Sequence, residues 1–276
     1  WVAGANTASA QSLTPDRPAL PAMSLTEDGG LSIWRNPANL GFDPDPSIGL
    51  VYGKPLDSGD GPPSGPTSFA FAANGGPAGF GFAYQSQMDH PEWWTISTSL
   101  AAGGDDLQIG GQFGWHLPAG ADNNFLAIDA GVGWPPTHWL GISSVGYNLG
   151  ANVRHVDIEE QVASGLTFRP ARNLIEFGGE YRVFTRADAE VPAYFEGFLK
   201  TEPVEGMTFR LGVNQLGTIQ AGLEFGLGGS SLGAHTRIGE TTGSAPFVMG
   251  TLQDNPDIGK IFKGGARVPE IALNDS

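Results

Sequence analysis

Residues 173 to 184 read NLIEFGGEYRVF. Ile175, Phe177, Tyr181 and Val183 occupy one set of alternate positions, and Glu176, Glu180 and Arg182 occupy the other. Successive side chains of an extended chain point to opposite faces, so this stretch is a strand with one apolar and one charged face. Which face lies inside decides the fold. In a soluble β-sandwich the aromatic face is the core and the polar face meets water. In a membrane barrel the order reverses, apolar toward lipid and polar toward the lumen.

The same period recurs from about Ser47 onward. GFGFAYQSQ (79–87) sets Phe80, Phe82 and Tyr84 against Gly81, Ala83 and Gln85. DLQIGGQFGWHL (106–117) sets Leu107, Ile109, Phe113 and Trp115 against Gln108, Gln112 and His116. MTFRLGVNQL (207–216) opposes Met207, Phe209, Leu211 and Val213 to Thr208, Arg210 and Asn214. TIQAGLEFGLG (218–228) opposes Ile219, Leu223 and Phe225 to Gln220 and Glu224, and SLGAHTRIG (231–239) opposes Leu232 and Ile238 to His235 and Arg237. Short turn signals separate these runs: Asn74-Gly75-Gly76, Gly103-Gly104-Asp105, Pro135-Pro136, Pro170-Ala171 and Gly228-Gly229. Connections this tight join antiparallel neighbours. Between Ser47 and Gln253 the pattern predicts about 14 strands and no long amphipathic helix.

The second face favours the membrane reading. It is small and mixed, with opposite charges close together, and lysine is nearly absent from the strands (Lys54 and Lys200). Trp93, Trp94, Trp115, Trp134, Trp139, Tyr147 and Tyr181 fall near segment ends, as aromatic girdles require. A closed barrel also leaves no open sheet edge, which lipid does not tolerate. The expectation is an all-β, closed antiparallel transmembrane barrel. Its lipid-facing set is Phe80, Phe82, Phe113, Trp115, Phe177, Tyr181, Phe209, Leu223 and Phe225. Its lumen-facing polar set is Glu176, Glu180, Arg182, Arg210, Asn214, Gln220, Glu224, His235 and Arg237. A soluble β-rich binding module remains the alternative.

Composition agrees. Only 16% of the 276 residues are charged and 40% are hydrophobic, the balance moving to 42 glycines and 21 prolines. Soluble domains average about 25% charged residues. The net charge of −15, without a Lys/Arg cluster, excludes nucleic acid as a partner. With no cysteine there is no disulfide framework or thiol nucleophile. TASA before Gln11 has the form of a signal-peptidase site, and no run approaches the length of a membrane-spanning helix.

Ahead of the repeat, residues 1–45 lack periodicity. The stretch LTEDGGLSIWRNPANLGFDPDPSIGLVYG (25–53) resembles the N-terminal segment of the FadL/PorV group of outer-membrane barrels, through Glu27, Asp28, Asn36, Pro37, Ala38, Leu40 and Gly41. The group's barrels have 14 strands, and the resemblance implies a hatch folded into one end of the lumen. Its expected residues are Asn36, Pro37, Ala38, Leu40 and Gly41. Asn36 suits capping, Pro37 fixes φ, and Ala38 and Gly41 permit close approach to the wall. The alternative is a simple turn into the first strand. The resemblance also implies a bacterial outer-membrane location. Group members that carry long-chain lipids generally have longer extracellular loops, and here the chain departs from them.

The expected domains are a hatch over 1–45, a barrel over 46–253 and a tail over 254–276. The tail is polar, and ARVPEIALNDS (266–276) resembles the first strand of signal-peptide-peptidase-like proteases, some of which carry an N-terminal barrel. That resemblance implies a further domain or protein partner at the C-terminal end. The first functional expectation is therefore a membrane anchor or assembly subunit. The second is FadL-like passage of small hydrophobic molecules. No enzyme is expected from this chain. Gly229-Ser230-Ser231-Leu232-Gly233 matches G-x-S-x-G without the helix a nucleophile elbow needs. Asp89, His90 and Glu92 lack the second spaced histidine of a metal site, Asp105-Asp106 reads as a turn, and Asp157, Glu159 and Glu160 read as a solvated strand end. His116 and His235 read as hydrogen-bonded spacers. No cofactor or metal is expected.

Overall fold

The structure is a computed structural model that describes residues 18–27, 29–42, 45–55, 67–87, 90–119, 124–150, 160–171, 174–185, 193–227, 230–239 and 247–254. The strands are β1 (Ser47–Pro55), β2 (Thr67–Gly75), β3 (Ala78–Gln87), β4 (His90–Gly103), β5 (Gln108–Pro118), β6 (Phe125–Thr137) and β7 (Leu140–Leu149). They continue as β8 (Gln161–Ala171), β9 (Ile175–Phe184), β10 (Ala193–Val204), β11 (Met207–Asn214), β12 (Ile219–Leu227), β13 (Ser230–Ile238) and β14 (Phe247–Asp254). Each pairs antiparallel with its sequence neighbours, and β1 pairs β14 from Gly49↔Gln253 to Pro55↔Phe247. These fourteen strands close into one barrel, so each strand has partners on both sides. Among the described residues no helix is long and apolar enough to cross a membrane; the crossing is made by strands.

The faces divide as alternation requires. Phe80, Phe113, Trp115, Phe177, Tyr181, Phe209 and Phe225 are exposed on the outer wall, Trp115 at 52%, and Phe82 and Leu223 are partly exposed there. Glu176, Glu180, Arg210, Gln220, Glu224, His235 and Arg237 are buried inside, Glu180 at 2%, and Arg182 and Asn214 are half-buried there. An apolar outside around a polar inside is the inverse of a soluble sandwich, so the fold is that of a transmembrane barrel.

Several details differ from the sequence expectation. Pro135-Pro136 is not a turn; both prolines lie within β6, and the chain reverses at His138-Trp139. The ladder slips between Trp134 and Thr137, so the missing proline N–H groups fall at an irregularity. Pro170-Ala171 likewise closes β8 rather than forming the turn. Two residues assigned to the girdles point inward. Trp93 is 1% exposed and donates from Nε1 to His116 Nδ1 at 3.0 Å. Tyr147 is buried and donates its hydroxyl to the Arg35 carbonyl at 2.6 Å. A polar partner inside outweighs the preference of these rings for an interface. Gly228-Gly229, Asp28, Asp89, Asp157, Glu159, the TASA site and the tail beyond 254 lie outside the described residues.

The two ends of the barrel are unequal. One end carries connections of two to four residues: 76–77, 104–107, 138–139, 172–174, 205–206 and 228–229. Connections at the other end reach eleven residues, at 56–66 and 150–160. β1 begins and β14 finishes at the short-turn end, because Ser47 pairs Asn74 and Asp254 pairs Ser230.

Candidate functional site

Residues 18–27 and 29–42 lie inside the barrel, almost wholly buried. They run from the long-loop side, where the Ala19 amide donates to Ser68 Oγ at 2.9 Å, to the short-turn side, where Gln108 Nε2 donates to the Gly41 carbonyl at 3.2 Å. The segment holds two 3₁₀ turns, Ser32–Trp34 and Pro37–Gly41. Asn36 is extended at φ −149° and caps the second turn by accepting from the Ala38 amide at 3.1 Å. Pro37 follows at the first helical position, where a missing N–H costs nothing. The Asn36 amide also donates to the carbonyls of Leu25 and Val132, each at 3.3 Å, tying the segment to itself and to β6.

One side of the segment rests on glycine. A Cβ on Gly81 of β3 would stand 2.6 Å from the Trp34 ring, and one on Gly110 of β5 would collide with the Ala38 backbone. Small residues there let a tryptophan and a backbone turn lie flat on the wall. Leu31, Ile33 and Trp34 form a common core with Val51, Ala70, Ala72 and Ala83. Leu40 is buried with them and packs toward Gly79.

The other side is held by charge. Glu27 accepts from Lys200 Nζ at 2.8 Å and from Arg210 Nη1 at 2.7 Å, with a second, shorter bond from Arg210 Nη2. Arg210 Nε donates onward to Glu224 Oε1 at 2.8 Å, and His235 Nε2 lies 3.4 Å from the same oxygen. Burial alone would raise the Glu27 carboxyl, but Arg210 and Lys200 outweigh it and hold that group far below the usual carboxylate range. A second contact joins Ser24 Oγ to Glu176 Oε1 at 3.2 Å, and Glu176 also accepts from Arg169 Nε at 2.8 Å. These bonds place the segment's charge where it is neutralised, since an unpaired buried carboxylate would not be tolerated.

Toward the long-loop end, beside the start of the segment, lies a recess of about 80 Å³. At ~15 Å³ for one water centre, it holds roughly five waters. Residues 18–21, Trp34 and Arg35 of the segment line it, together with Tyr147, Arg182, Tyr194 and Arg237 of the wall. Arg182, Tyr194 and Arg237 stand one or two residues from the long-loop ends of β9, β10 and β13. Arg35 Nη2 donates to Glu180 Oε1 at 2.6 Å and to the Met23 carbonyl at 2.7 Å. Burial would lower the Arg35 guanidinium, but Glu180 keeps it above its ordinary value. Arg182 stacks over the rings of Tyr147 and Tyr194, 5.8 and 5.6 Å from their centroids.

Of the nine polar lumen residues singled out by alternation, Glu176 stands apart with Arg169 and Ser24, and the other eight gather into two groups. Glu224, Arg210 and His235 join Glu27 in the ion cluster, while Arg182, Asn214, Gln220 and Arg237 line the recess beside Glu180. His116 bonds Trp93 and Thr95 on the opposite wall, away from both. Sequence reasoning missed Arg35, Lys200 and Tyr147 as site residues. Arg35 had a signal: it is the single charge between Leu31 and Phe42. Among the described residues no three His, Asp or Glu side chains gather as a metal site.

No protein-family model matches the sequence, and no curated protein matches it. Solved structures do match in fold. The Ralstonia pickettii toluene transporter TbuX superposes with a TM-score of 0.61 at 12% identity, over 91% of this chain and 99% of that one. A Pseudomonas aeruginosa FadL homologue gives 0.53 at 10% identity, over 90% and 96%. The CymD monoaromatic hydrocarbon channel gives 0.53 at 8% identity, over 82% and 92%. With closure at fourteen strands, an apolar exterior and these neighbours, the chain has the fold of the FadL-like bacterial outer-membrane β-barrels.

Proposed function

We propose that this barrel is a passage for small, largely hydrophobic molecules, with residues 18–42 as its hatch. The observation that carries the reading is the recess: toward the long-loop mouth the lumen keeps a space beside the inner segment, lined by residues 18–21, Trp34 and Arg35 of the segment and by side chains of the wall. In single-chain outer-membrane barrels the short turns face the periplasm and the long loops face outward. On that orientation a solute entering from outside meets the recess first and the hatch second. The names of the neighbouring structures support the reading, since TbuX is a toluene transporter and CymD a hydrocarbon channel. The anchoring alternative rests on residues 254–276, which lie outside the described residues, and no described feature favours it.

The test is uptake of a labelled monoaromatic such as toluene into vesicles whose outer leaflet is lipopolysaccharide, because plain phospholipid is itself permeable to such molecules. Uptake above that of protein-free vesicles is expected. A rate equal to that of protein-free vesicles would overturn the reading.

A further inference from the structure

The recess, at about 80 Å³, is smaller than the cavity of about 150 Å³ that accepts benzene, so a monoaromatic enters only if a lining side chain gives way. Most of the large ones are tied. Trp34 is buried in a common core with Val51, Ala70 and Ala83. Arg35 donates to Glu180 and to the Met23 carbonyl, and Arg237 donates to the Leu20 carbonyl at 3.3 Å. Tyr147 is anchored through its hydroxyl to the Arg35 carbonyl at 2.6 Å. Tyr194 differs from all of these. It is the second residue of β10, at the long-loop mouth, and its hydroxyl makes no hydrogen bond to a described residue. It is held by ring contacts, with the Arg182 guanidinium 5.6 Å and the Phe184 ring 5.9 Å from its centroid. Arg182 stands directly across from it in the β9–β10 ladder and also lies over the anchored Tyr147 ring.

We infer that Tyr194 is the gate of the recess: its ring swings toward the mouth, and a monoaromatic solute takes its place against the Arg182 guanidinium. The ring of tyrosine and the ring of toluene are the same size, so the space vacated matches the space needed. The π face of the solute restores the cation–π contact that Tyr194 gives up. A saturated ring of similar size would leave the guanidinium without that contact, so the exchange selects aromatic solutes. Tyr147 and Arg35 keep their bonds throughout, and the inner segment stays in place. The inference names the specificity determinant of the passage and rests on the passage reading only for how the solute travels beyond the recess.

The experiment is titration of the full chain in mild detergent with toluene, its five tyrosines replaced by 3-fluorotyrosine and read by fluorine NMR. Single Tyr→Phe variants assign the resonances, and calorimetry gives the affinities. The Tyr194 resonance should shift saturably and by more than that of Tyr147. Methylcyclohexane should bind about tenfold more weakly than toluene, the loss of one cation–π contact. Tyr194→Ala should bind toluene about tenfold more tightly, because no ring has to be displaced, and Tyr194→Phe should match the unaltered chain, because the hydroxyl holds nothing. A stationary Tyr194 resonance, a larger shift at Tyr147, equal affinity for toluene and methylcyclohexane, or unchanged affinity in Tyr194→Ala each overturns the inference. The resonance shifts and the solute comparison use the native side chains at the recess, so the inference stays testable even where Tyr194→Ala fails to fold. Toluene uptake into vesicles with a stationary Tyr194 sinks the gate and leaves the passage standing. A saturable Tyr194 shift without uptake sinks the passage and leaves the ring exchange standing.

Discussion

The wall built by β1, β3, β5 and β6 and the wall built by β8 to β13 both enclose the inner segment, but they hold it by different physics. The first meets it with glycine and alanine at Gly49, Gly81, Gly110 and Gly131, and its grip is shape. The second meets it with Glu176, Glu180, Lys200, Arg210 and Glu224, and its grip is charge taken out of water. A shape contact degrades by small steps as atoms are added. A buried ion cluster fails at once, because removing one member leaves the others unpaired. The charged wall should therefore be the more fragile to substitution and the glycine wall the more forgiving.

The largest expected effect tests that directly. Arg210→Met removes the cation shared by Glu27 and Glu224, leaving them only Lys200 and His235, and should cost about 3–5 kcal/mol, read as a lower denaturant midpoint and as protease access to the segment. A loss below about 1 kcal/mol, the worth of a solvated surface pair, would erase the contrast. Next, Phe225→Arg on the exterior of β12 should cost about 2–4 kcal/mol if it lies at mid-membrane, as read by folding titrations in lipid. Its neighbour Glu224 lies inside, so Glu224→Leu should instead loosen the segment while membrane insertion stays intact, measured by protease access against heat-resistant migration. Gly81→Val should press on Trp34 and cost about 1–3 kcal/mol, with a shift in tryptophan fluorescence.

The smallest effect is the pH response. The folded Glu27 carboxyl is held below its ordinary value of 4.5, so its contribution is complete above that pH. It is lost progressively as pH falls below 4.5 toward the depressed folded value. Stability should thus be flat with respect to Glu27 between pH 8 and 6, which equilibrium unfolding with and without Glu27→Gln can check. A difference between the two chains that changes across that neutral range would contradict the assignment.

The strands were legible because period two is a local signal. NLIEFGGEYRVF carries its two faces within twelve residues, and the charges on one of them show that the interior is polar. The inner segment carries no period, and its burial depends on a wall made elsewhere. Glu27 and Lys200 are 173 residues apart, and nothing near either names the other. Arg35 and Arg182 meet only because the segment turns at Asn36 and the sheet closes. Trp93 and Tyr147 misled for the same reason. Proximity to a strand end suggested an interface, whereas strand parity and a distant polar partner decided the direction.

The arrangement of the ion cluster also bears on the order of assembly. Glu27 is among the earliest described residues of the chain, while Lys200, Arg210 and Glu224 lie on strands near its end. The segment cannot dock with its charge neutralised until β10 to β12 are in place. Contacts of such separation carry the largest loop-closure cost and form late. Insertion should therefore proceed around an unsealed interior, with capture of the segment as the closing step. A probe on Trp34 should report burial more slowly than the strands report their hydrogen bonds.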